Sequence, residues 1–286
     1  MDPTDAVDTR RARLLLPSLG LAAGLWPSAT ALALGKSLAE AGRPVPLKLL
    51  SYYDYPPFVT GPQQGLSFEL ATWLKQRAED VLDTVELELL PRRRVDVQVR
   101  QPQWAGLVPW VSPAWFPSPE LAQALIWSAP VMNDEDLVLS LKRKPFEYEG
   151  PASLRGQKLG GIYGHVYSDA DPLVARGELQ RLDSFTQEAN LRMLMLGRVD
   201  LLFLSRSGLA WWRQRLPQFD EHIHVAAQPR MRYQRHLMLS RDLQEPLRER
   251  LLQLAQTMGA DSQWREVMRR YGLLGQSAEL QNSAQL

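Results

Sequence analysis

Apolar positions along this chain recur with two different periods, and the period switches repeatedly. Leu47, Leu49 and Leu50 mark Val45 to Tyr52 as a strand. Leu66, Leu70, Trp73 and Leu74 then fall at helical spacing, which predicts a helix over Leu66 to Glu79. Val85 to Leu90 alternates as a half-buried strand does, and Pro91 ends it. Trp104 to Val111 reads as a buried strand that runs into the proline-rich, aromatic loop Ser112 to Pro119, and Asp136 to Leu141 is a further strand. After a charged stretch, Lys142 to Gly150, the pattern starts again. Lys158 to Gly164 is a strand ending in glycines, and His165 to Arg176 opens a helix. Glu188 to Leu196 is a helix stopped by Gly197, and the nearly continuous apolar run Val199 to Leu204 is a strand covered on both faces. Ser207 to Leu216 is helical, with strands at His222 to Val225 and His236 to Ser240. Two helices close the chain, Leu247 to Met258 and Ser262 to Tyr271, the second with Asp261 as N-cap and Gly272 as stop. Strands alternating with helices predict an α/β class with largely parallel sheets, laid down twice and split near residue 145.

Within this pattern Ser51-Tyr-Tyr-Asp-Tyr-Pro-Pro-Phe58 stands out. A strand ends in a cluster of aromatics, two prolines stop further ladder pairing, and a helix follows. Open α/β sheets bind ligands in the crevice outside the carboxyl ends of their strands, so this corner is a candidate binding edge.

The 286 residues are 45% hydrophobic and 23% charged, with a net charge of +1. So balanced a charge gives no field to recruit nucleic acid, and no nucleic-acid partner is expected. The absence of cysteine excludes disulfides, thiolate catalysis and cysteine zinc sites. At the N-terminus a basic cluster (Thr9 to Arg13), an apolar segment (Leu14 to Trp26) and small residues at A-x-A spacing (Ala29 to Ala33) follow in the order of an export signal. Residues 1–33 are therefore expected to be a signal, its Thr-Arg-Arg resembling a twin-arginine motif. The alternative reading is a short membrane or core helix.

Five segments in order resemble the extracytoplasmic solute-binding proteins of ABC importers, in the polar amino-acid branch (family 3). They are Tyr55-Pro-Pro-Phe58 with Gly65 and Glu69-Leu-Ala71; Ile126-Trp-Ser-Ala-Pro130; Ser153-Leu-Arg-Gly-Gln-Lys-Leu-Gly160; Gly197-Arg-Val-Asp200; and Met258-Gly-Ala260 through Arg270-Tyr-Gly272. The resemblance spans residues 45 to 273 and marks the chain as a divergent member. It implies an α/β, two-lobed periplasmic-binding-protein type II fold with a hinge cleft. Lobe 1 would comprise 45–143 and 236–273, lobe 2 144–235, and 274–286 would be a frayed tail. It further implies a soluble periplasmic monomer that captures a small polar or aromatic ligand for an ABC permease. No catalysis, cofactor or metal is implied.

The resemblance also places the ligand-facing residues: Tyr52, Tyr53, Tyr55, Phe58, Trp110, Ser112 and Trp115 on the first lobe, and Gly164, His165 and Ser205 on the second. Two charged clamps of the family are absent. Trp115 stands where the carboxylate-binding arginine is expected, and Ser205, beside Arg206, stands where the ammonium-binding aspartate is expected. An aromatic cleft suits flat, apolar or cationic ligands; equally, its aromatics could pack on one another in a site that no longer binds. The alternatives to transport are therefore a sensor or accessory protein acting on a membrane partner, or an enzyme on this scaffold with His165 as its one nameable acid–base group. Other constellations have plainer readings. His222 and His224, alternating on a strand, lack a third ligand nearby. Asp200 suits a local backbone bond, Met193, Met195, Trp211 and Trp212 suit packing, and Arg92 to Arg94 suit a solvated surface.

Overall fold

The structure is a computed structural model that describes residues 43–116 and 118–274. The expected export signal and nearly all of the expected frayed tail lie outside the described residues.

Ten strands form one continuous sheet path in the order β2-β1-β3-β10-β5-β8-β6-β7, with β4 against β10 and β9 against β5. On the first side, β1 (Val45–Ser51) pairs in parallel with β2 (Leu82–Leu89) and β3 (Gly106–Val111). On the second, β6 (Lys158–Ile162) pairs in parallel with β7 (Gln180–Ser184) and β8 (Leu201–Ser205). Two ten-residue strands link the sides: β5 (Met132–Leu141) and β10 (Met231–Ser240). They are antiparallel over Met132–Asp136 and Met231–Arg235 and then diverge, β10 to join β3 and β4 (Leu125–Trp127), β5 to join β8 and β9 (Ile223–Val225).

Helices follow the strands as the periodicity requires: α1 (Leu66–Arg77), α2 (Arg92–Gln98), α3 (Pro119–Ala124), α4 (Asp171–Ala175), α5 (Gln187–Met195), α6 (Arg206–Arg215), α7 (Phe219–His222), α8 (Glu245–Thr257) and α9 (Ser262–Arg270). One apolar cluster joins β1, α1, β3, the end of β10, α8 and α9. Two more cover opposite faces of the second side. Leu137, Leu139, Leu202 and Leu204 point into one, and Val138, Leu201 and Phe203 into the other, as a period of two demands of strands covered on both faces.

Several elements depart from the sequence reading. Strands β5 and β10 begin earlier than their apolar halves, because charged residues occupy the first half of each. Strand β7 and helix α2 are additional, and Arg92 within α2 is partly buried rather than solvated. His222 ends α7 instead of lying on a strand with His224.

Candidate functional site

The corner after β1 is built around one glycine. Gly65 has φ +121°, and a Cβ there would fall 2.3 Å from the Phe58 carbonyl oxygen. That close approach lets the first N–H groups of α1 donate into the loop: Leu66 to the Pro57 carbonyl at 2.9 Å and Ser67 to the Phe58 carbonyl at 3.0 Å. The loop is thereby pinned with Tyr53, Tyr55 and Phe58 in ring contact, at centroid distances of 4.7–5.9 Å. Tyr52 stacks on Tyr53 at 4.4 Å and their hydroxyls bond at 3.1 Å.

The middle of this cluster is filled by the chain's own Arg235. Its guanidinium carbon lies 4.8 Å from the Phe58 ring centre, 5.0 Å from Tyr53, 5.0 Å from Tyr233 and 5.8 Å from Trp115. The side chain is 1% exposed. Its Nε donates to Asp134 Oδ2 at 2.8 Å, Nη1 to the Trp110 carbonyl at 2.8 Å, and Nη2 to the Tyr233 hydroxyl at 2.9 Å.

Strand register explains the meeting. Asp134 pairs with Tyr233, and Arg235 lies two residues on, so all three share one face. Glu135 and Arg232, paired opposite each other, occupy the other face and bond at 2.9 Å, with Arg206 completing a second buried-acid cluster. Asp134 is fully satisfied, because it also accepts from Ser207 Oγ at 2.7 Å and from the Ser207 backbone N–H at 3.1 Å. The carboxylate thus sits at the N-terminus of α6, where the helix dipole favours a negative charge. Ser205 enters the same network through its hydroxyl, 3.1 Å from Ser207 Oγ.

Trp110 has φ +67°, an uncommon conformation for a bulky residue. Val111 pairs with His236 but Val108 with Met238, so β3 carries one residue more than β10 across this interval. The bulge frees the Trp110 carbonyl to face Arg235 while its indole N–H donates to Ser67 Oγ at 3.1 Å.

The expected ligand-facing residues therefore fall into two groups. Tyr53, Phe58, Trp110 and Trp115 touch Arg235, and Tyr52, Tyr55 and Ser205 adjoin it. Ser112, Gly164 and His165 do not. Ser112 follows β3, with its carbonyl accepting from the Trp115 N–H. Gly164, at φ +82°, turns the chain out of β6, and the His165 carbonyl accepts from Arg181. Burial, with the nearby positive charges of Arg92 and Arg181, lowers the His165 pKa to about 4, so its imidazole is neutral near pH 7. Arg92 itself is held over the rings of Phe116 at 4.4 Å and Tyr52 at 5.0 Å, and donates to the Trp115 carbonyl at 2.7 Å.

Sequence reasoning passed over Asp134, Arg235 and Tyr233. The available signal was the acidic run Asp134-Glu-Asp136 together with the arginines at 230, 232 and 235. The remaining polar residues are locally engaged: Asp200 with Lys144 and the Lys158 N–H, His224 with Glu147, and His222 with the Gln218 carbonyl.

Between the corner loop and the helices α5 and α6 lies a cavity of about 530 Å³, lined by Asp54, Tyr55 and Thr60 on one side and Gln187, Trp211 and Trp212 on the other.

No family model and no curated protein matches the chain. Solved structures do. The ligand-binding core of GluR0 from Nostoc punctiforme, in complex with L-glutamate, superposes with a TM-score of 0.61 at 13% identity, over 80% of this chain and 100% of that one. The chain has the fold of the two-lobed amino-acid-binding proteins. An amino-acid ABC transporter substrate-binding protein, AbpA from Streptococcus pneumoniae bound to L-arginine, shares the two-lobed fold with a TM-score of 0.60 at 15% identity, over 82% of this chain and 97% of that one. The ancestral amino-acid-binding protein AncCDT-1, a precursor of cyclohexadienyl dehydratase, gives a TM-score of 0.58 at 13% identity, over 84% and 98%. One fold therefore serves a ligand-binding core, an ABC transporter substrate-binding protein and the precursor of a dehydratase, and the site has to decide among such roles. Among the described residues of this two-lobed chain, no helix is long and apolar enough to cross a membrane.

Proposed function

We propose that this chain is an exported, non-catalytic binding-protein relative whose hinge is held from within by Arg235, and that it serves a membrane-bound partner as an accessory or sensory component. The observation that carries this reading is the caged guanidinium. Residues that the family resemblance marks as ligand-facing instead enclose a side chain of the chain itself, with its counter-charge, Asp134, supplied by the neighbouring hinge strand. A captured ligand favours closure of a two-lobed protein by binding the closed form better. Here a covalently attached cation supplies those contacts at all times, so the closed form needs no free amino acid. The basic, apolar and small-residue order at the N-terminus supports export.

A second reading, capture of a small solute for import through an ABC permease, is favoured by the cavity of about 530 Å³ beside the cage. Interlobe distance separates the two. The chain has no cysteine, so Thr84→Cys with Ala152→Cys gives clean spin labels on two exposed sites. We expect the distance and the melting temperature to be unchanged by millimolar L-arginine or L-glutamate. Capture in the hinge predicts the reverse. A ligand at a hundredfold excess over its Kd adds about 2.7 kcal/mol and shortens the distance, and that result would sink the self-closed reading.

A further inference from the structure

A second cavity, of about 390 Å³, lies on the second side of the sheet path and shares no residue with the aromatic corner. Strand register sets its place. Leu141 at the end of β5 pairs with Ile223 of β9, and the short α7 brings Phe219 into the same apolar cluster. Helix α5 adds Leu191 and Met195, which are one turn apart and so share a face. Leu191, Phe219 and Ile223 are 1–3% exposed and form the floor. Met195, at 37% exposed, borders the mouth with Leu216 and the exposed Pro217. Gln218 is the one polar residue of the lining, and its carbonyl already accepts from the His222 N–H at 3.2 Å. A zwitterion lying against these walls would strand a charge on apolar surface, whereas an alkyl chain strands nothing. Met195 is unbranched and adapts its shape to such a chain.

The charges around the cavity are out of balance. Glu188 bonds Arg192, Asp220 bonds Arg213 and Asp200 bonds Lys144. Among the described residues, the exposed Lys142, Arg143, Arg198 and Arg215 have no acidic partner, against one exposed acid without a basic partner, Glu221. Two of these cations stand at the end where α5 meets β9. Arg143 Nη2 lies 3.1 Å from where a Cβ on Gly197 would be, two residues past Met195. The Lys142 N–H donates to the His222 carbonyl at 2.8 Å, next to Ile223. An apolar cavity with surplus positive charge at one end fits a ligand that is apolar along its length and anionic at its tip. A methylene group takes up about the volume of a water molecule, about 30 Å³, so a chain of about ten carbons fits. We propose that this cavity binds a free medium-chain alkyl carboxylate, its chain over Leu191, Phe219 and Ile223 and its head group at Arg143 and Lys142. The site is separate from the Arg235 cage and does not depend on the self-closed reading.

Calorimetric titration of the full chain tests it, with hexanoate, octanoate and decanoate below their micelle-forming concentrations and octylammonium as the cation of matching chain length. One-to-one binding is expected, tightening about fourfold for each added methylene. Octylammonium should bind at least tenfold more weakly than octanoate. Met195→Glu, which sets a negative charge at the mouth, should weaken decanoate at least tenfold. Arg143→Gln should weaken octanoate severalfold and narrow its advantage over octylammonium. Both positions are exposed, so each variant should keep the parent's melting temperature without ligand to within a few degrees. The proposal is overturned if no carboxylate binds, if octylammonium binds as tightly as octanoate, or if both variants keep the parent's affinity. None of these results bears on the label-distance experiment at the hinge, so the two proposals fail separately.

Discussion

At the scale of single residues, Arg235 and Asp134 define the molecule. A buried ion pair gains little over an apolar pair of the same shape, but removing one member strands the other, at a cost of about 3–5 kcal/mol. Arg235→Met is therefore expected to destabilise by that amount in urea titration. Asp134→Asn with Arg235→Met should lose clearly less than the two single losses combined, a coupling above about 1 kcal/mol in the double-mutant cycle. Four aromatic rings around the guanidinium add cation–π attraction that is strongest when the cation is desolvated, as it is here. Arg235→Ala opens a guanidinium-shaped space beside the Asp134 carboxylate. Millimolar methylguanidine should then raise the melting temperature of that variant and leave the parent unchanged. Additive losses, with no response to methylguanidine, would remove the pair from its central role.

Among elements, the C-terminal helices are tied back by one carboxylate. Asp261 caps α9 by accepting from the Trp264 N–H at 2.8 Å, and it also accepts from the Trp73 indole at 3.1 Å and from Arg77 Nε at 2.9 Å, both on α1. Burial alone would raise its pKa, but these bonds hold it below the usual aspartate value. Cap loss usually costs about 1 kcal/mol, and here two further bonds go with it. Asp261→Ala should lower stability by about 2 kcal/mol at pH 7 by denaturant titration, and a loss under about 0.5 kcal/mol would count against the tie. This helix and its cap were legible in the sequence, as were α1, β8 and both halves of the α/β pattern, because each buries an apolar stripe of regular period. The hinge ladder was not. Asn133-Asp-Glu-Asp136 and Met231-Arg-Tyr-Gln-Arg235 bury charge instead of apolar surface, and a charge run reads as solvated until its counter-run is known to lie opposite. The positive φ at Trp110 likewise leaves no trace in composition, since it follows from a bulge that only the pairing with β10 creates. The aromatic corner at Ser51 to Phe58 was visible, but what it encloses lay 125 positions beyond Trp110.

For the whole molecule, acid is the informative stress. His165 follows β6 on one side of the sheet path, Arg92 follows β2 on the other, and Arg92 is one of the charges that resist protonation of His165. Its folded pKa of about 4 lies below the ordinary 6.5, so the unfolded chain binds the extra proton first. The stability from this group is complete above about pH 6.5 and drains away as the pH falls toward 4, on the order of 3 kcal/mol at most. His165→Gln should flatten that limb of the stability profile, and an unchanged slope would remove His165 as its source. The same sheet path governs how the chain comes together during synthesis. Strand β3, with Leu107, Val108 and Val111 wholly buried in the finished protein, has its antiparallel neighbour β10 near the far end of the chain. Until the ribosome delivers that strand, one edge of β3 lacks its partner and its apolar side chains wait uncovered. Such long-range closure is slow and leaves partly made chains prone to association. Nonsense fragments ending before β10 should therefore be recovered as aggregates rather than as a smaller folded protein.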